Sequence, residues 1–409
     1  MLAIKAMVTR GALLSVAFWL VFLGVIRVAI IPPESCGETS AAAIRRAAEE
    51  AAGWMKRNQL ADGRYVYLYY PETDSTPNDY NEVRHAGVTM SLYQAAGRLP
   101  DPEALAVADK ALQWEEDNMV RAHGWAALAP DGNRPSLGAS ALMLVGLAER
   151  RLATGDETHD ELMHEVARFI ASMQREDGGF YVAYYLDADV PDTVGTSRYF
   201  PGESLWALAL MHEAFPGEGW DGYARDALQF ITTMRDEVEG VDFPPLPDQW
   251  AAYGLGEMAE WGLTEQQIEY SHRLAERFGL LVRTEAQREG SPWGVLVRGR
   301  DVRASGMGTW VEGLTALWRL ASVDPRMADV RDDIERRAVC ASGILAARQV
   351  TADEAEDYPR PGLAQGAWFR GGETRMDDMQ HAFSGLIYTL DAMQDNPVRE
   401  PDGTLESGR

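Results

Sequence analysis

From Ser40 onward the chain repeats one pattern six times, at a period of roughly 50–65 residues, and like units of this size either close into a ring or stack into a solenoid. Each unit opens with a charge-rich helix. It passes through a turn of glycine and aromatics and ends in a more apolar helix with a polar first turn. The first unit reads "AAAIRRAAEEAAGWMKRNQ", "LADGRYVYLYY", "NDYNEVRHAGVTMSLYQAAGRL", and the third "THDELMHEVARFIASMQ", "REDGGFYVAYY", "RYFPGESLWALALMHEAF". The others begin at "DPEALAVADK", "GWDGYARDAL", "TEQQIEYSHR" and "RMADVRDDIE".

The first helix of each pair has one apolar stripe and one acidic face, so it belongs outside. The second is apolar nearly all round, with small residues, as in a helix covered on several sides. Two concentric rings satisfy both patterns. The expected fold is all-α, an (α/α)6 toroid of about six helical hairpins over 41–395. Its inner helices run parallel, and their polar first turns meet at one end. An open solenoid is the alternative, but it needs polar terminal caps, and neither the first nor the sixth pair looks like one.

Ahead of the repeats, residues 11–31 read "GALLSVAFWLVFLGVIRVAII", with Arg27 the one charge. About 20 apolar residues span a bilayer as a helix. Lys5 and Arg10 precede the run and favour an inside amino terminus, and "IIPPES" offers no small-residue cleavage site. The expected organisation is a cytoplasmic tail over 1–10, an uncleaved transmembrane signal anchor over 11–31 and a linker over 32–40. The toroid follows, outside the membrane, and a disordered tail covers 396–409.

Acids number 63 against 38 bases, a formal charge of −25, which repels nucleic acid and argues against it as a partner. Lysine occurs only at 5, 56 and 110; salty surroundings and high-GC coding both produce that bias. The two cysteines, Cys36 and Cys340, form no CxxC or Cys/His cluster, so neither a structural metal nor a cofactor is expected. One disulfide is open to an extracytoplasmic domain. Because Cys36 follows the apolar run so closely, the expectation is that the two stay apart.

The turns "MQREDGGFYVAYY", "NQLADGRYVYLYY" and "AQGAWFRGG" resemble the Q-x-x-D-G-x-aromatic turns of α/α-toroid proteins. That superfamily includes the six-hairpin glycosidases, the N-acylglucosamine 2-epimerases and the terpene cyclase and prenyltransferase folds. The resemblance covers about residues 40–395 and implies the architecture more than the chemistry, since toroids host several reactions.

In a closed ring the inner first turns form the floor and rim of one cleft. The first pair offers Tyr80, Asn81, Glu82, Arg84 and His85; the second, Ser136 and Ser140; the third, Arg198, Tyr199 and Glu203. The fourth offers Asp248, Gln249, Trp250 and Tyr253; the fifth, Thr309, Trp310 and Glu312; the sixth, Arg375, Asp377, Asp378, Gln380 and His381. Tyr65, Tyr69, Tyr184, Trp293, Trp368 and Phe369 come from the aromatic turns above. Aromatic faces pack on pyranose rings, and carboxylates and amides bind hydroxyls, so the expected ligand is a carbohydrate or another small polar molecule.

Glycoside hydrolysis needs one carboxyl as acid and a second as base or nucleophile. Glu203, Asp248, Glu312, Asp377 and Asp378 are the candidates, and a membrane-anchored glycoside hydrolase is the leading expectation. The resemblance to toroid epimerases implies histidines that move a proton beside a carbonyl; His85 and His381, on the first and last inner helices, would then be neighbours. A terpene cyclase's D-x-D-D is met only in part by "TRMDDMQ". A prenyltransferase needs zinc, and Cys340 has no ligand partner nearby. A ring that binds glycan or peptide without catalysis is a further alternative. Each carboxylate also has a plainer use as a helix cap, each arginine as a tie between helix ends, and each histidine as a satisfied core residue.

Overall fold

The computed structural model describes residues 2–27, 32–240, 246–299 and 301–393, without the side chains of 2–10, 292, 295 and 298. The tail expected over 396–409 and part of the expected span, 28–31, lie outside the described residues. Helix α1 (Leu2–Val25) leads the chain. The outer helices are α2 (Ala41–Arg57), α4 (Pro102–Asp117), α6 (Asp160–Ser172), α8 (Trp220–Thr233), α11 (Glu265–Glu289) and α14 (Arg331–Arg348). The inner helices are α3 (Glu82–Arg98), α5 (Leu137–Thr154), α7 (Phe200–Ala214), α10 (Gln249–Glu257), α13 (Ala304–Val323) and α17 (Met376–Ala392). Short helices α9 (Arg235–Val238), α12 (Pro292–Arg298), α15 (Ala352–Ala355) and α16 (Pro361–Ala364) lie in the loops.

The ring closes. α3 packs on α5, α5 on α7, α7 on α10, α10 on α13 and α13 on α17, and α17 returns to α3. The outer helices press in from behind: α4 on α3, α6 on α5, α8 on α7, α11 and α14 on α13, α2 on α17. Inner helices buried on every side use small residues to approach one another. A Cβ on Gly308 of α13 would stand 2.5 Å from the Ala382 nitrogen of α17, and that close approach brings Glu312 beside His381.

The repeated turn does the same job three times. Gln59 donates through Nε2 to the Val107 carbonyl of α4 at 2.7 Å, and Gln174 to the Tyr223 carbonyl of α8 at 2.9 Å. Gln349 donates to the Ala47 carbonyl of α2 at 2.9 Å. Each glutamine also reaches a glycine carbonyl of its own turn, at Gly63, Gly178 and Gly366. Those glycines have φ of +92°, +85° and +78°, the left-handed region that glycine enters without cost. Two residues later come Tyr65, Phe180 and Trp368, all buried. The motif therefore ties each hairpin to an outer helix of the next, and Gln349 to Ala47 joins the last to the first. At this seam β1 (Leu68–Tyr69) pairs antiparallel with β6 (Thr374–Arg375). Two small hairpins, β2 (Met119–Ala122) with β3 (Trp125–Leu128) and β4 (Tyr184–Tyr185) with β5 (Val190–Pro191), edge the same end of the ring.

Cys36 and Cys340 are bonded, with Cα atoms 4.7 Å apart, contrary to the expectation that they stay apart. The linker does not float: it folds back along α11 and α14. Ser35 donates its N–H to the Ala286 carbonyl at 2.9 Å, and Glu34 pairs with Arg283 at 3.3 Å and with Arg337. The described apolar side chains of α1 are exposed, from 43% at Phe22 to 72% at Leu14. Among the described residues no helix is long and apolar enough to cross a membrane.

Candidate functional site

The polar ends of α10, α13 and α17 meet, and α17 supplies most of the groups. Asp378 caps two helices: Oδ2 accepts from the Arg375 N–H at 3.2 Å and Oδ1 from the Ser305 N–H of α13 at 2.8 Å. That is structural work. Burial, with Asp377 beside it, pushes its carboxyl up to about 6. Asp377 lies between two arginines, Arg84 Nε at 3.2 Å and Arg375 Nη2 at 3.3 Å. Arg84 is held in turn by the Tyr67 hydroxyl and lies over its ring at 5.5 Å.

One helical turn beyond Asp377, on the same face, stands His381. Its Nδ1–H donates to Glu312 Oε2 at 2.9 Å, which fixes the tautomer and turns Nε2 away from Glu312. Among the described hydrogen bonds none uses Nε2. Burial opposes the imidazolium, but Glu312, with Asp377 and Asp378 behind it, outweighs burial, and His381 titrates above its ordinary range. Glu312 has no exposed surface; burial pushes its carboxyl up, and His381 pulls it back. Among the described residues neither Glu312 Oε1 nor the Tyr253 hydroxyl finds a hydrogen-bond partner. Trp250 lies 5.6 Å from the His381 ring, and Tyr253 stacks on Trp206 at 4.1 Å with the planes 8° apart. Gln380, buried one residue before His381, leaves its Nε2 without a partner.

Glu203 stands in the first turn of α7, 3% exposed. It reaches across to α5, where a Cβ on Gly138 would stand 2.5 Å from its Oε2. Among the described residues that oxygen has no hydrogen-bond partner. Burial, and then the nearby Asp248, raise the carboxyl to about 8, so it is protonated at neutral pH. An anionic cap would be held ionised by its helix; Glu203 is not one.

Several expected residues do other work. Asp248 has no exposed surface. It caps α10 through the Ala251 N–H at 3.0 Å and forms a buried ion pair with Arg235, which also donates to the Tyr270 hydroxyl at 2.9 Å. His85 does not meet His381: it turns outward onto α4, donating from Nε2 to the Ala111 carbonyl at 3.1 Å and accepting from Tyr80 at 2.6 Å, 4.3 Å from the Trp114 ring. Burial lowers it to about 3, so it stays neutral. Tyr80 is its partner rather than a cleft residue, and Asn81 caps α3 through the Arg84 N–H at 3.0 Å. Trp368 is core, its Nε1–H on the Leu345 carbonyl at 2.8 Å. Trp293, Arg198 and Tyr199 are exposed, Gln249 is buried and Trp310 is half-buried against the core. Arg235 and Tyr67 were missed by sequence reasoning. Arg235 follows an amphipathic outer helix and shows its role only once Asp248 is folded against it.

No protein-family model matches the sequence, and no curated protein matches it. Among solved structures, D-mannose isomerase is similar with a TM-score of 0.59 at 10% identity, covering 86% of this chain and 98% of that one. An unsaturated glucuronyl hydrolase specific for heparin has 0.54 at 11%, covering 87% and 99%. Cellobiose 2-epimerase from Spirochaeta thermophila DSM 6192 has 0.52 at 14%, covering 86% and 98%. At such identities the likeness concerns the fold, and it agrees with the closed double ring: the chain folds as an α/α toroid of six hairpins.

Proposed function

We propose that this chain is a carbohydrate-active enzyme that moves protons on a sugar, with His381 as its acid–base group. The observation that carries the reading is the Glu312–His381 pair. A buried carboxylate holds Nδ1–H at 2.9 Å, favours the imidazolium and leaves Nε2 for substrate, the arrangement a general acid–base group needs. Nε2 takes the proton from the carbon beside an open-chain sugar's carbonyl, and the imidazolium returns it. Arg84 and Arg375, the more exposed groups of the cluster, supply positive charge for the oxyanion formed between the two steps.

Glycoside hydrolysis is the second reading, and Glu203 favours it. A carboxyl kept protonated to about pH 8 is suited to donate a proton to a leaving oxygen. The experiment incubates the purified chain in D2O with aldoses, cellobiose and oligosaccharides and follows them by NMR. Deuterium entering beside the carbonyl, and lost in His381→Asn, supports the first reading. New reducing ends without deuterium entry, lost in Glu203→Gln but not in His381→Asn, would replace it with the second.

The placement in the cell is part of the same proposal: a tail over 1–10 inside, an anchor over 11–31 and the toroid outside. Its support is the apolar run with Lys5 and Arg10 before it, the outward apolar side chains of α1, and the Cys36–Cys340 bond, which oxidising compartments favour.

A further inference from the structure

Helix α12 (Pro292–Arg298) turns apolar side chains to solvent: Trp293 is 65% exposed, Leu296 74% and Val297 78%. Exposed apolar area forgoes the stabilisation that burial would return, and clustered apolar side chains mark a surface with a use. Two further observations say what covers this one. The linker from the amino-terminal helix enters the toroid beside it. The Pro33 carbonyl abuts Gly290, Ser35 is bonded to Ala286, and Cys36 is bonded to Cys340, so the chain arrives two residues short of the start of α12. The charge also reverses locally. Between residues 288 and 303 the sequence has four arginines, at 288, 298, 300 and 303, against two acids, Glu289 and Asp301, in a chain of net charge −25.

We propose that α12 docks on the surface of the bilayer that holds the amino-terminal helix. Trp293, Leu296 and Val297 enter the boundary between headgroups and acyl chains, and the excess positive charge of the 288–303 stretch is drawn to anionic lipid. The inference rests on the anchoring reading above and adds an orientation to it. A short helix with tryptophan and aliphatics flanked by arginine is the composition of an interfacial segment, tryptophan favours the headgroup level, and basic residues near an anionic surface strengthen the attachment. Because α12 lies on the path from α11 to the first turn of α13, docking turns the His381 end of the ring toward the headgroups. A tether at residue 31 would by itself let the ring tumble; a second contact two residues from the tether point holds one face down.

The test uses the full chain reconstituted in vesicles of phosphatidylcholine and phosphatidylglycerol. Leu296→Cys is labelled with an environment-sensitive fluorophore; the two native cysteines are bonded to each other, so the new thiol is the one that reacts. Leu152→Cys, at the opposite end of α5 and 38% exposed, is the control. With lipids spin-labelled near the headgroup, the label at 296 is expected to lose at least about half its emission and the label at 152 little. Carbonate washing reads the anchor separately. If the protein resists carbonate and the two labels are quenched alike, docking is overturned and the anchor stands. If carbonate releases the protein but 296 is quenched on added vesicles, the anchor reading fails and docking stands. A label at 296 shielded from iodide but not quenched by lipid means that another protein surface covers it, which also overturns the proposal.

Discussion

Gly178→Ala tests the physical reading of the repeated turn. Gly178 sits at φ +85°, and a Cβ there would overlap the Asp226 carbonyl oxygen and stand 2.9 Å from its carbon. An L side chain in the left-handed region costs about 1–2 kcal/mol. The carbonyl belongs to α8, so relieving the overlap moves the turn off that helix and weakens the Gln174 bond to Tyr223, worth about 1 kcal/mol. The expected loss is about 2–3 kcal/mol. Gly279, in the middle of α11, is the control: it has ordinary φ, and the nearest atom to its Cβ position is Arg337 Cγ at 3.8 Å. Gly279→Ala should gain about 0.5–1 kcal/mol by relieving a helix of glycine. Urea unfolding followed by tryptophan fluorescence measures both. The reasoning fails if Gly178→Ala lies within about 0.5 kcal/mol of the unchanged protein, or shifts in the same direction as Gly279→Ala.

Three further outcomes follow from the buried charges and the disulfide. Asp248→Ala leaves the Arg235 guanidinium, 1% exposed, without its carboxylate and should cost about 3–5 kcal/mol; a loss under about 1 kcal/mol in the same urea assay would show that water replaces the pair. Glu203 binds its proton more tightly when folded, so its contribution is full below its ordinary value of 4.5 and is lost as pH rises through about 8. Across that window stability should fall by roughly 1.4 kcal/mol per pH unit from this group, and Glu203→Gln should flatten the slope between pH 5 and 8. Cys36→Ser opens a bond between residues 304 apart, for which loop entropy sets a ceiling of about 5–6 kcal/mol. A variant as stable as the parent would mean that Glu34 and Ser35 hold the linker unaided.

The architecture was legible because it is periodic. Six copies of a helix pair, one helix amphipathic and one apolar all round, leave few ways to bury the second helix, and a ring does so without exposed ends. The turn "QREDGG" was legible for the same reason: its glycine and its glutamine act locally, within reach of a helix that the repeat guarantees. The site was legible only as a set of polar first turns. Which members face the ring's axis depends on helix rotation, and the rotation of each helix is settled by packing against neighbours far away in sequence. His85 is the fourth residue of α3 and His381 the sixth of α17; Ala111 and Trp114 draw the first outward, and Glu312 holds the second beside Trp250.

Asp248 and Glu203 divide in the same way. Both are acids at the start of inner helices, Asp248 as a cap and Glu203 within the first turn, and neither position announces the partner it will meet. A buried arginine from α9 meets the first and, among the described residues, none meets the second, so one is locked in an ion pair while burial raises the other's carboxyl to about 8. By itself, then, the sequence determined the number and kind of helices, the turns that join them and the end of the ring where polar groups gather, because those follow from spacing and local backbone preference. Only the tertiary structure decided which of those groups are paired, protonated or left for a ligand, because a charge's state is set by whatever lies within a few ångströms of it, and in a closed ring those neighbours come from other hairpins.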